Sequence, residues 1–129
     1  MVRPPAVSRD VLCGQARGLI LGGRSGVLST TFRGKESWPY GSLVTYAPDV
    51  DGSPIFLFST LSDHTNNLAK EPKASLLVER ASRLKNPQQG PRVTILGTVK
   101  PTKSPRHKKR FLARHPGAAQ YLREVGRLP

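Results

Sequence analysis

Hydroxyl, imidazole and amide side chains that can bind an anion are concentrated between residues 59 and 67. This segment reads Ser-Thr-Leu-Ser-Asp-His-Thr-Asn-Asn and follows the apolar run Ile55–Phe58. A strand that leads into the polar start of a helix leaves backbone N–H groups pointing outward, and the helix dipole favours negative charge there. The pattern therefore predicts an anion site, with a phosphorylated cofactor as its natural occupant.

Each polar side chain of this segment has a second, purely structural interpretation. His64 can donate to a phosphate, or it can support the helix start through a local bond. Ser59 and Thr60 can donate to a ligand, or they can end the strand and cap the helix. Asn67 faces either the sheet or a ligand, since Leu68 is expected in the core. Ser42, a polar residue in the apolar strand Tyr-Gly-Ser-Leu-Val, points either at a ligand or at solvent.

Other kinds of site have little support in the sequence. It contains no Ser/His/acid triad pattern and no paired carboxylates in a recognisable context. With three His, one Cys and no HExxH or CxxC spacing, we expect no metal site built from protein ligands alone.

The single Cys13 excludes an internal disulfide and is expected as a small buried hydrophobe in a reducing compartment. The apolar runs are too short to span a bilayer and the N-terminus has no secretory apolar region, so we expect a cytoplasmic protein without a membrane partner.

The net charge is +13, from 21 Lys and Arg against 8 Asp and Glu. Such an imbalance attracts polyanions. Much of the charge lies in the run Lys100–Arg110, where a nucleic-acid reader would be expected to interleave aromatic residues for stacking. Phe111 is the only aromatic residue nearby. The favoured interpretation is a solvated face of a basic protein, and nucleic-acid binding through this run is kept as an alternative.

The elements that position these residues follow from turn and cap signals. Ser8 caps a first helix, with Leu12, Ala16, Leu19 and Ile20 as its apolar stripe, and Gly22-Gly23 ends it. Three strands, 26–32, 39–47 and 55–59, then suggest a meander. A short helix over 63–70 is stopped by Pro72, strands follow over 74–79 and 92–100, and Ser104-Pro105 starts a basic helix ending near 115–116. Pro116 is expected to open a further helix, with Ala119, Leu122 and Val125 facing inward. Mostly antiparallel strands with few crossovers indicate a small barrel with peripheral helices.

Six stretches in this order form a family pattern. Together they resemble the pyridoxamine 5'-phosphate oxidase-like FMN-binding split-barrel family, and within it the branch related to the haem-utilisation proteins. The stretches are Trp38–Val44, Asp51–Ser59, His64–Leu68, Glu71–Leu77, Val93–Gly97 and Arg114–Ala119. Each is an ordinary turn or strand by itself, and it is their order that carries the resemblance.

The resemblance implies a mainly β (α+β) fold, an antiparallel, Greek-key-like split β-barrel of six strands with peripheral helices. It implies one FMN-binding domain over 1–129 and a homodimer with flavin at the subunit interface. Carried over by position, the cofactor-binding residues are Ser42, Ser59, Thr60, His64, Thr65 and Asn67. Asp63-His64 stands where the oxidase itself has basic residues, which favours the haem-utilisation branch. Relatives continue into a further strand after the Ala-Ala-x-Tyr-Leu stretch, and we expect that C-terminal strand to be missing or truncated here.

Three functions remain as hypotheses. The first is an FMN-dependent oxidoreductase, for which the absence of catalytic residues is no obstacle because the cofactor performs the electron transfer. The second is a haem-binding or haem-degrading member of the same fold. The third is a non-enzymatic basic module that binds nucleic acid. The sequence does not name a substrate or an electron donor.

Overall fold

The computed structural model describes residues 8–121 and 124–127, and the side chains of residues 8–119 and 127. The chain begins with helix α1, Arg9–Gly22. The Ser8 hydroxyl accepts from the Val11 N–H at 3.2 Å, which confirms the predicted cap. Leu19 is buried and Ile20 is half-buried, but Leu12 is 52% exposed. Cys13 is also exposed, so the expectation of a buried thiol is wrong, because the first turns of α1 make little contact with the sheet.

Eight strand segments form two four-stranded sheets. They are β1 (Ser25–Thr31), β2 (Pro39–Thr45), β3 (Ala47–Pro48), β4 (Pro54–Phe58), β5 (Lys73–Glu79), β6 (Arg92–Thr98), β7 (Lys100–Pro101) and β8 (Glu124–Arg127). The first sheet has the order β2-β1-β5-β6 and the second the order β3-β4-β8-β7. Every pairing among these described strands is antiparallel.

The chain passes between the sheets at two buried residues. Tyr46 separates β2 from β3, and Val99 separates β6 from β7. When each interrupted pair is counted as one strand, the barrel has six strands, as the resemblance implies. The predicted meander over 26–59 is confirmed, because β1 pairs with β2 and β3 pairs with β4, and the turn at Tyr46 carries the middle strand into the second sheet. There β4 pairs with β3 and β8.

Three helices lie on the periphery: α1, α2 (Asp63–Lys70) and α3 (Pro105–Arg114). The bounds predicted for α2 and the start of α3 are confirmed. The main core lies between the sheets and includes Leu28, Phe56 and Leu76, and Leu68 of α2 packs into it. Phe111 of α3 packs with Ala47 and Ile55 in a second cluster. Ile20 of α1, Leu68 of α2, and Phe111 and Leu112 of α3 are thus the large apolar side chains that pack these helices on the barrel.

The stretch after Pro116 differs from the prediction. It forms a short 3₁₀ helix, Pro116–Tyr121, followed by β8, in place of one continuous helix. Ala119 is exposed, Val125 lies in β8, and Leu122 lies outside the described residues. The free edge of β4 explains the difference, because its backbone groups need partners and β8 provides them. The expectation that the relatives' C-terminal strand is missing remains a prediction, although a strand does form here.

No helix in the described part of the chain is long and apolar enough to cross a membrane.

Candidate functional site

The turn between β4 and α2 is built by the hydroxyls that were predicted to bind a ligand. The Ser59 hydroxyl accepts from the Leu61 N–H at 3.2 Å, and the Ser59 carbonyl accepts from the Thr65 hydroxyl at 2.6 Å. Thr60 is exposed. Ser62, at the N-cap position, makes no side-chain cap bond. The turn is therefore held by Ser59 and Thr65, and the first-turn N–H groups of α2 receive no acceptor from Ser62.

Asn67 is fully buried and hydrogen-bonded to the first sheet. Its carbonyl oxygen accepts from the Arg33 backbone N–H at 3.1 Å and from the Arg33 Nη1 at 3.0 Å. Its amide nitrogen donates to the Thr30 hydroxyl at 3.1 Å. A buried amide satisfied in this way positions a helix on a sheet. Asn67 thus faces β1 and lies on a different side of α2 from the turn at Ser59.

Arg33 joins this amide to the start of the helix. Its Nη2 contacts the Asp63 carboxylate at 2.9 Å, and the Tyr40 hydroxyl donates to the same carboxylate at 3.3 Å. The bonded guanidinium of Arg33 holds the pKa of Asp63 below its ordinary value. Sequence reasoning assigned Arg33 to a turn, considered Tyr40 only for stacking on a planar ring, and did not predict the contacts of Thr30 and Tyr40 with α2. No local signal marks these residues, because they lie 23 to 37 positions from their partners.

His64 is the predicted site residue whose side chain can take part in the most kinds of chemistry, because an imidazole can bind a proton, an anion or a metal ion. Its ring is half-buried and packs edge-on against Phe58, with the ring centroids 4.7 Å apart. Burial lowers the pKa of His64, and the neighbouring Asp63 carboxylate opposes this only in part. Within the described part of the chain its side chain makes no hydrogen bond. His64 is therefore a neutral imidazole at pH 7, able to act as a metal ligand through a ring nitrogen.

Ser42 lies on the inner face of β2. It pairs with Leu28, a core residue, and alternates with Leu43, which is 80% exposed. Its half-buried side chain therefore points towards the barrel side of the sheet. No hydrogen bond among the described residues joins it to the turn at Ser59. The structure thus brings Ser59, Thr60, His64 and Thr65 together at the start of α2, places Asn67 on the side of that helix that contacts β1, and places Ser42 on β2.

A cavity of about 370 Å³ lies at the opposite end of α2 from His64. Its walls come from the β1–β2 connection and from the end of the helix: Thr31, Phe32, Arg33, Gly34, Ser37, Lys70 and Glu71. None of the predicted cofactor ligands lines it. Arg33 is the residue that connects this cavity to the Asp63–Asn67 network.

The outer face of the first sheet exposes apolar side chains on four neighbouring strands. Leu43, Val27 and Leu77 stand side by side in register, and Leu96 lies nearby on β6. Leu43 is 80% exposed and Leu96 is 76% exposed. Contiguous apolar surface of this kind marks an interaction site more often than isolated exposed residues do. We call these four residues the outer apolar face.

Side chains that could bind a metal ion are not clustered in the described part of the chain. Across residues 8–121 and 124–127 there is no group of three or more His, Cys, Asp or Glu placed to hold a metal ion.

Comparison with known proteins gives a consistent picture. A family model described as "CREG, beta-barrel" matches residues 9–126. The non-canonical haem oxygenase HOZ, chloroplastic, of Arabidopsis thaliana is 36% identical over 107 residues, which are 81% of this chain and 32% of HOZ. A haem-binding protein from Mycobacterium smegmatis superposes with a TM-score of 0.81 at 26% identity, covering 99% of this chain and 52% of that one.

A more distant structural relative is HutZ, the haem storage protein of Vibrio cholerae. It superposes with a TM-score of 0.69 at 15% identity, covering 87% of this chain and 84% of HutZ. At that identity the likeness shows the fold alone. The chain spans about a third of the length of HOZ and about half of the M. smegmatis chain. The predicted resemblance to the FMN-binding split-barrel proteins and their haem-related branch is confirmed.

Proposed function

The chain belongs to the CREG, beta-barrel family, and from that membership we propose that it binds haem as a homodimer of split barrels. The observation that carries the proposal is His64, a neutral, half-buried imidazole without a hydrogen-bond partner among the described residues. Support comes from the names of two relatives, a haem oxygenase and a haem-binding protein.

The groups at the start of α2 fit haem iron better than a phosphate dianion. A phosphate is bound best by charged donors, but the neutral imidazole of His64 carries no positive charge. The cation at this helix start, Arg33, is already paired with Asp63 and Asn67. The hydroxyls of Ser59 and Thr65 are used within the turn. A neutral imidazole with a free ring nitrogen is, in contrast, a common ligand of haem iron.

The surrounding residues would hold His64 in place for this role. Phe58 packs against the ring edge, and Arg33 and Tyr40 fix Asp63 and with it the first turn of α2. Haem, when bound, supplies the iron-centred redox chemistry, and the protein supplies binding and orientation. We extend the proposal to haem degradation with dioxygen as the oxidant and an electron donor that activates it, which makes the protein an oxidoreductase.

A haemin titration tests the proposal. We expect the purified protein to shift the Soret band of haemin, and His64→Ala to change that spectrum and weaken binding about tenfold or more. Thr60→Ala is the matched control in the same turn, because Thr60 is exposed, and it should behave like the wild type. No Soret shift in the wild type would refute haem binding, and identical spectra for wild type and His64→Ala would refute the ligand. Loss of the Soret band after a reductant is added in the presence of dioxygen, and its persistence when dioxygen is removed, reports degradation.

FMN is the second candidate cofactor, with Ser42, Ser59, Thr60, His64, Thr65 and Asn67 as the residues that would hold it. The observation that favours it is the start of α2, where Ser62 makes no cap bond and the N–H groups remain available to an anion. If FMN is the cofactor, added FMN should raise the melting temperature, since a ligand that binds the folded state stabilises it. Stabilisation by FMN without a haemin Soret shift would replace the haem proposal with a flavin one.

A second copy of this chain is the proposed occupant of the outer apolar face. A flat row of exposed apolar side chains across β2, β1 and β5 can pair with its own symmetry mate, as twofold dimers require. We expect the wild type to have the mass of a dimer in solution and Leu43→Glu to have the mass of a monomer. Leu84→Glu, at an exposed leucine outside this face, is the control and should stay dimeric. A monomeric wild type would count against the dimer.

A cytoplasmic location completes the proposal. It is supported by Cys13, which is exposed and unpaired, since free exposed thiols persist in reducing compartments.

A further inference from the structure

The arginines of α3 bond to other parts of the protein, although the Arg106 side chain is 55% exposed. Arg106, Arg110 and Arg114 stand four residues apart, so they form one stripe along the helix. Arg106 forms a two-pronged bond with the buried carboxylate of Asp49. Arg110 donates twice to the Pro48 carbonyl, at 3.2 and 3.0 Å, and Arg114 donates to the Gly23 carbonyl at 3.0 Å. The stripe fastens α3 to the barrel.

The lysines of the same segment have no such role. Lys103, Lys108 and Lys109 are exposed, as is Lys100 on β7. None of these four side chains forms a hydrogen bond or an ion pair with a residue that the structure describes. We call these four residues the lysine face.

Five of the carboxylates whose side chains the structure describes are already bonded to other groups. Asp49 and Asp51 are paired with arginines near α3, and Asp63 is paired with Arg33. Glu79 accepts from two backbone N–H groups, and Glu36 accepts from the Trp38 ring N–H. None of these five carboxylates pairs with the lysine face, which therefore keeps its positive charge.

The side chains that α3 exposes favour some kinds of polyanionic partner over others. Protein partners need an apolar centre in the interface, but no large apolar side chain of α3 is among the strongly exposed ones, since Phe111 is buried. The same burial leaves α3 no apolar face to insert into a membrane surface. Base stacking needs aromatic side chains, which α3 does not expose. Contact with a phosphodiester backbone needs only positive charge.

A second feature of α3 is a cleft of about 270 Å³ that two of its arginines line. Arg110 and Arg114 line it together with Ala47, Pro48 and Ala113. Guanidinium groups bind phosphate oxygens well, and each has more donors than the carbonyl bonds use. The cleft is thus suited to accept one phosphate group of a chain that passes over the lysines.

We propose that the lysine face, together with the Arg110–Arg114 cleft, binds the phosphodiester backbone of double-stranded nucleic acid without reading its sequence. This activity is separate from haem binding, because it uses α3 and β7 and leaves His64 untouched.

Fluorescence anisotropy with a labelled DNA duplex tests the proposal. We expect binding that weakens steeply between low and physiological salt, since each phosphate contact releases counterions. Lys108→Glu combined with Lys109→Glu should raise the Kd about tenfold or more. The matched control, Lys35→Glu combined with Lys85→Glu, makes the same change in net charge at exposed loop positions away from α3 and should change the Kd by about twofold or less.

Two further measurements complete the test. Ala113→Glu places a carboxylate beside the cleft without removing an arginine, and it should weaken DNA binding while leaving the melting temperature and the haemin spectrum unchanged. Equal losses from the two lysine pairs would overturn the proposal, because general charge would then explain the binding. It would also fall if polyglutamate of similar length bound as tightly as DNA, since the face would then be a site for acidic polypeptides.

Discussion

The helices α2 and α3 are both held on the barrel by arginine, but the balance of charge differs between them. At α2, one guanidinium, Arg33, meets one carboxylate, Asp63, and a neutral buried amide, Asn67. At α3, the single buried carboxylate of Asp49 lies near Arg106, Arg110, Arg127 and His107. Asp51 compensates part of this excess through Arg127.

This difference explains why the two regions suit different ligands. At the start of α2 the cation Arg33 is paired with Asp63, so the remaining group, His64, offers a neutral nitrogen to a metal. At α3 the arginines hold the helix on the barrel, and the lysines stay available to anions. Sequence reasoning predicted an anion site at α2 and kept polyanion binding at α3 as an alternative, and the contacts of individual side chains separate the two.

The largest effect is expected at the buried carboxylate beside α3. Asp49→Asn removes the charge that the guanidinium of Arg106 and its neighbours contact, so several cations lose their counterion. We expect a loss of about 3 kcal/mol in the free energy of unfolding, measured with urea, because breaking a buried ion pair leaves uncompensated charge. Asp51→Asn is the control. Asp51 is half-exposed, so its loss should stay below about 1 kcal/mol. Equal losses would mean that burial at Asp49 contributes nothing special.

A smaller effect is expected at the amide that positions α2. Asn67→Ala removes the acceptor for Arg33 and the donor for Thr30, and should cost about 2 kcal/mol in the free energy of unfolding. The adjacent Asn66 is exposed and bonds within its own helix to the Ser62 carbonyl. Asn66→Ala should therefore change stability by about 0.5 kcal/mol or less. If the two variants lost the same amount, the bonds between α2 and the first sheet would not be what holds the helix.

The smallest effect is the pH dependence that His64 contributes. Burial lowers the pKa of His64 from its ordinary value of 6.5, so the folded protein binds this proton less readily than the unfolded chain. Stability should be full above pH 6.5 and fall as the pH drops through that value. Solvent screening of the half-exposed ring keeps the loss well below about 1 kcal/mol. Urea titrations between neutral and mildly acidic pH should show a weaker dependence in His64→Gln. A stronger dependence in that variant would reverse the sign assigned to His64.

The helices could be predicted closely because their ends are local. Ser8 caps α1 from three residues away, and Pro72 stops α2 two residues after its last turn. The strands were located well for the same reason. The prediction that failed was the helix after Pro116, which gave way to a short 3₁₀ helix and to β8, the partner of β4. Which edge needs a partner is a property of the assembled sheet.

The candidate site shows the same difference between what local sequence predicts and what long-range contacts decide. Residue types and spacing alone determined that hydroxyls and an imidazole lie together where β4 leads into α2, because residues 59–65 are joined by one tight turn. Only the tertiary structure decided that the cation near this turn is already occupied. Arg33 reaches Asp63 across 30 residues, and Asn67 reaches Thr30 across 37. Local geometry depends on interactions within a few residues. The charge state of a site, and the hydrogen-bond donors and acceptors that it leaves unused, depend on partners that only the folded chain brings within hydrogen-bonding distance.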